Sequence, residues 1–179
     1  MIIPIIIQFI YRELDASFIS AGIISVVFGI LFFLSNLDHD KKLNLPQAFL
    51  LTALSWISIA IFGSLPFIFS NLELTITDSF FESMSGITTT GSTIMVNLDD
   101  APKAILLWRA MLQWLGGVGI ILMAITLMPI MNVGGMQLFK VSSNDTAEKI
   151  LPKSKQISIR LIIIYSALTL LCAFFYKIF

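Results

Sequence analysis

One cysteine, Cys172, and one histidine, His39, are the chain's whole supply of the two side chains most used in nucleophilic and transition-metal chemistry. A lone cysteine excludes an intrachain disulfide, and a lone histidine argues against a histidine-built metal centre. His39 sits in the polar stretch NLDHDKK as a solvated loop residue, and Cys172 falls near the far end of the last apolar run. No Cys–His nucleophile pair can form between them. Charge is scarce too: 12% of the 179 residues are charged, against about 25% in an ordinary soluble domain. Eleven basic residues cancel eleven acidic ones, so no surplus exists to meet a phosphate backbone, and nucleic acid is excluded as a partner.

What the chain has instead is apolar length. Hydrophobic residues make up 57% of it, with fifteen Phe and eight Met, and a water-soluble fold of that composition would leave large greasy patches exposed. Crossing a bilayer takes about 20 apolar residues. Residues 48–69, 104–130 and 157–176 meet that length, and 16–34 is slightly short but free of charge. Residues 1–11 are apolar over about half a bilayer. They lack the basic start and small-residue cleavage site of a signal peptide, and read as the back half of a helix whose beginning lies outside the chain. The class is an all-α integral membrane protein.

Charge placement predicts sidedness. Lys41 and Lys42 lie between the second and third apolar segments, and Lys140, Lys149, Lys153, Lys155 and Arg160 cluster between the last two. Residues 71–102 carry Glu73, Asp78, Glu82, Asp99 and Asp100 but no Lys or Arg. The positive-inside rule puts 35–47 and 131–156 in the cytoplasm and 71–102 outside, with Arg12 and Lys103 as exceptions on the outer side.

The stretch LTITDSFFESMSGITTTGSTIMV, residues 74–96, is too polar to span and too apolar for a solvated loop. Ser79 and Glu82 have the spacing of a capping box, and Asp78 adds negative charge at a helix N-terminus. The helix is expected to end near Ser85 or Gly86, about 12 Å long and less than half the hydrocarbon thickness. An extended tract follows: Thr88, Thr89, Thr90, Gly91, Ser92 and Thr93. A span, a half-length helix, a Thr/Gly tract and a second span make the layout of a re-entrant pore loop. Non-helical backbone survives at membrane depth only where protein buries it or it lines a wet cavity. The helix's partially negative C-terminus points inward. Carbonyls of Thr88, Thr89, Thr90 and Gly91 can replace an ion's water, and Gly91 accepts a positive φ. An acidic mouth concentrates cations. TTTGST alone reads more readily as a hydrogen-bonded Thr/Ser turn than as a filter; its flanks favour the filter.

The stretch LPFIFSNLELTITDSFFESMSGITTTGST, with ILLWRAMLQWLGGVGIILMAITLMPIMNVGGMQLFK after it, resembles the first pore repeat of Trk-type potassium uptake proteins, the TrkH/TrkG membrane subunit of the Trk/Ktr/HKT superfamily. The likeness runs over nearly the whole chain. It implies a fold of four span–pore loop–span repeats around a pseudo-fourfold pore, preceded by an extra helix pair. Residues 1–47 would be that pair with its first helix truncated, 48–135 the first repeat, 136–156 a cytoplasmic loop, and 157–179 the opening span of the second repeat. Thr89, Thr90 and Gly91 match the family's first-repeat filter, with Thr88 next in line, and Thr89 and Thr90 are the implied potassium ligands. The resemblance also implies a plasma membrane location (the bacterial inner membrane), a homodimeric membrane subunit, and a cytoplasmic nucleotide-binding regulatory subunit of the TrkA type. No cofactor is implied, and potassium enters as substrate. One quadrant cannot surround an ion, since uncompensated dehydration costs tens of kcal/mol. The chain is therefore expected to be an N-terminal fragment.

Arg109 lies about two turns inside its span. An intramembrane charge marks a functional site by default; pairing with Glu82 or Asp78 would brace the pore helix, and snorkelling to the outer interface is the alternative. Gly116, Gly117 and Gly119 sit mid-span without a preceding strand, which favours close helix packing over a nucleotide loop. Gly134 and Gly135, after Pro129, are expected to end the span. Gln113 reads as an interior polar contact, Trp108 and Trp114 as packing aromatics. The carboxylates are scattered around the outer loop, which leaves an enzyme without an inventory. Two other functions compete with potassium translocation: a homotetrameric single-repeat cation channel and a non-transporting membrane scaffold.

Overall fold

The computed structural model describes residues 1–13, 15–35, 45–131 and 150–178. Six helices form among them: α1 (Ile2–Tyr11), α2 (Ser17–Ser35), α3 (Leu45–Ile68), α4 (Ile76–Ile87), α5 (Lys103–Met131) and α6 (Ile150–Ile178), with a 3₁₀ turn at Leu98–Asp100 before α5. No strand occurs among the described residues. Four stretches are long and apolar enough to cross a membrane: Ser17–Ser35, Pro46–Phe69, Lys103–Ala124 and Gln156–Ile178. The four expected spans are all present.

Two helices begin earlier than the apolar count suggests. α3 starts at Leu45 and α6 at Ile150, each with a proline in its first turn, Pro46 and Pro152, where the missing N–H is not needed. Residues 150–156, expected as loop, are thus helical. His39, Lys41, Lys42, Gly134, Gly135, Lys140 and Lys149 lie outside the described residues.

The chain divides into two compact units, Met1–Gly117 and Val118–Phe179. In the second, Val118, Ile121, Leu122, Leu161, Ile164, Tyr165 and Leu168 line a small apolar pocket between the end of α5 and α6. The first unit holds the site. α3 packs against α2 and α4, and the core gathers Phe18, Phe67, Met95, Ala101, Ala104, Ile105, Trp108 and Leu112. Trp108 ties the core to both α2 and α3. Its ring meets Phe18 edge-on at 6.0 Å, and its Nε1–H donates to the Gly63 carbonyl of α3 at 2.9 Å. A buried indole N–H needs such a partner.

The link between α1 and α2 also sets where α5 begins. α1 stops at Arg12, whose left-handed φ of 56° turns the chain. Glu13 then reaches across sequence: its carboxylate oxygens accept the backbone N–H groups of Lys103 at 2.7 Å and Ala104 at 3.3 Å. These are orphan donors of the first turn of α5, and negative charge there complements the helix dipole.

Candidate functional site

α4 begins one turn earlier than the Ser79–Glu82 spacing suggested. Thr75 is the N-cap: its hydroxyl accepts the Asp78 N–H at 3.2 Å, and the Asp78 carboxylate accepts the Thr75 N–H at 3.1 Å. Thr75 and Asp78 make the capping box, and hydrogen bonds from Thr75, side chain first and then backbone, hold the Asp78 carboxyl below the usual carboxylate range. Ser79 is instead buried inside the helix, and its Oγ, like that of Ser83, has no hydrogen-bond partner among the described residues. At twelve residues the helix is about 18 Å long, longer than expected yet well short of the roughly 30 Å hydrocarbon core.

The tract after α4 is a turn before it is extended. Thr88 N–H donates to Met84 O at 2.9 Å, Thr89 N–H to Gly86 O at 2.9 Å, and Thr90 and Gly91 N–H both to Ser85 O at 3.0 and 3.3 Å. The last carbonyls of a helix lack donors, and the threonine backbone supplies them. Two residues adopt positive φ, Thr89 at 59° and Gly91 at 76°. Glycine takes this region freely; a β-branched residue there is an outlier.

Beyond Gly91 the chain returns alongside α4. Ser85 Oγ donates to Ser92 O at 2.6 Å, and Thr93 Oγ1–H and Ile94 N–H both donate to Glu82 Oε1. Glu82 is fully buried, and its other oxygen meets Arg109 Nε at 2.9 Å. Arg109 Nη2 donates onward to Gly91 O at 2.8 Å and Ser92 O at 3.1 Å. Of the two partners expected for Arg109, Glu82 is taken and Asp78 is not, because Asp78 is committed to the cap. The Arg109 side chain keeps 15% exposure, so it is turned toward the loop and is not snorkelling.

This changes which carbonyls are open. Gly91 O, expected as one of four aligned ligands, accepts from Arg109. No donor among the described residues reaches the carbonyls of Thr88, Thr89 and Thr90. Side-chain protons can be placed as well. Thr88 Oγ1–H donates to Met84 O, so in the 2.8 Å contact between Thr88 and Thr90 hydroxyls Thr90 is the donor. The Thr90 proton is thereby used, and its oxygen keeps its lone pairs, which suits a cation. Thr88, Thr89, Thr90 and Gly91 are all exposed, while Ile87 just before them is buried.

α5 approaches this turn through a glycine. A Cβ at Gly116 would lie 2.0 Å from the Ile87 carbonyl oxygen, so the expected close packing holds there. Gln113 stands one turn away with its Nε2 3.4 Å from where a Gly91 Cβ would be. Sequence reasoning brought Glu82 and Arg109 together, but missed the contact of Arg109 with Gly91 and the ties of Ser85, Ser92 and Thr93 within the loop. The Ser/Thr content of the tract was the available signal.

The TrkH family model, described as cation transport protein, matches residues 15–179. The chain is 41% identical over 177 residues to the Trk system potassium uptake protein TrkH of Escherichia coli K12, covering 97% of this chain and 37% of the relative. It is 40% identical over 177 residues to TrkI of Halomonas elongata, covering 98% and 36%. The crystal structure of the potassium transporter TrkH from Vibrio parahaemolyticus superposes with a TM-score of 0.83 at 34% identity, over 99% of this chain and 35% of that one. The chain thus spans little more than a third of the length of these relatives. With its apolar spans and the short capped helix between two of them, the chain is a membrane protein that belongs to the TrkH family of cation transport proteins.

Proposed function

We propose that this segment supplies one quarter of a potassium-selective filter in a Trk-type uptake protein. Ions are held by the carbonyls of Thr88, Thr89 and Thr90, Gly91 lets the chain turn, and Glu82 and Arg109 brace the loop. The observation that carries the reading is the row of threonine carbonyls without a donor among the described residues, at the C-terminal end of a half-length helix and beside an extended segment held by Arg109. Carbonyl rings replace the hydration shell of a monovalent cation, and the remaining three quadrants would come from further repeats. The names of the relatives, potassium uptake proteins, support the choice of ion. In this reading the chain works as a transporter segment and not as an enzyme. It sits in the bacterial inner membrane with its acidic loop outside, and the complete subunit pairs as a homodimer with a cytoplasmic regulatory subunit of the TrkA type.

The test uses a complete Trk membrane subunit in which this segment supplies the corresponding third, expressed in cells lacking potassium uptake. Growth at low potassium and Rb⁺ influx are expected, with strong loss when Thr89 and Thr90 are both replaced by Ala. Unchanged influx in that double variant would favour a scaffold.

A further inference from the structure

We infer that Glu82 and Arg109 form a charge-compensated strut whose neutrality, beyond its geometry, sets how strongly the filter binds a cation. The inference rests on the filter reading above. The guanidinium lies between a buried carboxylate and two loop carbonyls: Nε meets Glu82 at 2.9 Å, and Nη2 meets Gly91 O at 2.8 Å and Ser92 O at 3.1 Å. Arg109 is therefore one hydrogen bond from the backbone that turns into the ligating threonines.

A lone positive charge at that place would oppose a cation entering the filter. Glu82 is fully buried and the Arg109 side chain is 15% exposed, so little water screens it and the effective dielectric is low. Residues 71–102 contain no Lys or Arg, so the loop contributes no further cation of its own. Glu82 answers the charge where it arises. One carboxylate oxygen takes the guanidinium, and the other takes Thr93 Oγ1–H and Ile94 N–H. The pair thus presents hydrogen-bond donors to the loop with no net charge.

A brace alone does not require ions. Replacing a buried ion pair by neutral groups is often no less stable, whereas removing one partner leaves an uncompensated charge. Arginine also brings what a neutral donor lacks, a planar fork that reaches the carboxylate and two carbonyls at once. The use of arginine brings the fork, and the use of glutamate cancels its field.

Rb⁺ uptake kinetics in the complete subunit, normalised to subunit in the membrane, separate the two roles. Glu82→Gln leaves one excess positive charge, and the apparent KM for Rb⁺ rises about tenfold. Arg109→Gln leaves one excess negative charge, and KM falls. The double variant Glu82→Gln/Arg109→Gln is neutral, and its KM moves back toward the parent even where Vmax stays low. A purely structural brace shifts both single variants in the same direction, and that result overturns the inference. Should the single variants fail to reach the membrane, the double variant and Arg109→Lys decide: both preserve neutrality, so that Vmax falls with the lost fork while KM rises by less than about tenfold. A tenfold rise in either, in subunits present at parental abundance, overturns it. A parent subunit without Rb⁺ uptake defeats the filter reading itself, and the inference falls with it.

Discussion

Gly116 on α5 comes so near Ile87, the last residue of α4, that a Cβ at Gly116 would stand 2.0 Å from the Ile87 carbonyl oxygen. The obstacle is backbone, so neither side can yield by rotating a side chain. Gly116→Ala must push α4 and α5 apart directly under the threonine turn. A cost of about 1–3 kcal/mol is expected from overpacking, together with loss of Rb⁺ uptake. Gly29 has nothing within 4 Å of its added Cβ, and Gly29→Ala is expected to be neutral or slightly stabilising, as in any open helix position. Thermal unfolding of the detergent-solubilised subunit compares the two.

Gly91 tests the turn itself. At φ 76° an added side chain costs about 1–2 kcal/mol of backbone strain. Its Cβ also meets Gln113 Nε2 at 3.4 Å. Gly91→Ala is expected to assemble, because strain of that size is local, yet to lose most Rb⁺ influx as the threonine carbonyls rotate. Influx per membrane-inserted subunit measures it.

Glu13 caps a helix that starts ninety residues later, through the N–H groups of Lys103 and Ala104. Glu13→Ala leaves both donors without this partner, and a loss of about 1 kcal/mol is expected, the usual value of an N-cap. Arg109 and Gly116 ride on the same helix, so thermal unfolding falls first and Rb⁺ influx follows at the higher temperature. Unaltered unfolding would show that water replaces the cap at no cost.

Asp78 gives a pH signature. Its carboxyl is held below the ordinary value by Thr75, so its contribution is complete above the unfolded aspartate value, near pH ~4. It is lost as pH falls through the lower folded value. The start of α4 is therefore insensitive to pH between about 5 and 8 by this linkage. Asp78→Asn is expected to flatten the decline in thermal midpoint below about pH 4. An identical decline in parent and variant would assign the acid sensitivity elsewhere.

The elements legible in sequence were those governed by local rules. Apolar runs marked the spans to within a few residues. That Gly91 can take a positive φ followed from glycine alone, and close packing at Gly116 from a glycine group in mid-span. The start of α4 was misread because Ser79–Glu82 carries the commoner Ser-x-x-Glu spacing. Thr75–Asp78, one turn earlier, has the same geometry with a less frequent acid. Glu82 was free of the cap for a non-local reason: its partners Thr93, Ile94 and Arg109 lie eleven, twelve and 27 residues away. The same distance hid the Glu13 cap. The left-handed Thr89 ran against its own preference, since β-branched residues seldom adopt it, and strain of this kind gathers at functional sites.

The central claim is that Thr88, Thr89 and Thr90 offer their carbonyls to a permeating cation. Anomalous scattering from crystals of the complete subunit grown in Rb⁺ locates the ion without reference to kinetics. The account predicts an anomalous peak in coordination contact with the carbonyl oxygens of these three residues, on the side away from Arg109. Rb⁺ peaks elsewhere in a transport-competent subunit, with these carbonyls turned toward protein donors, would contradict it.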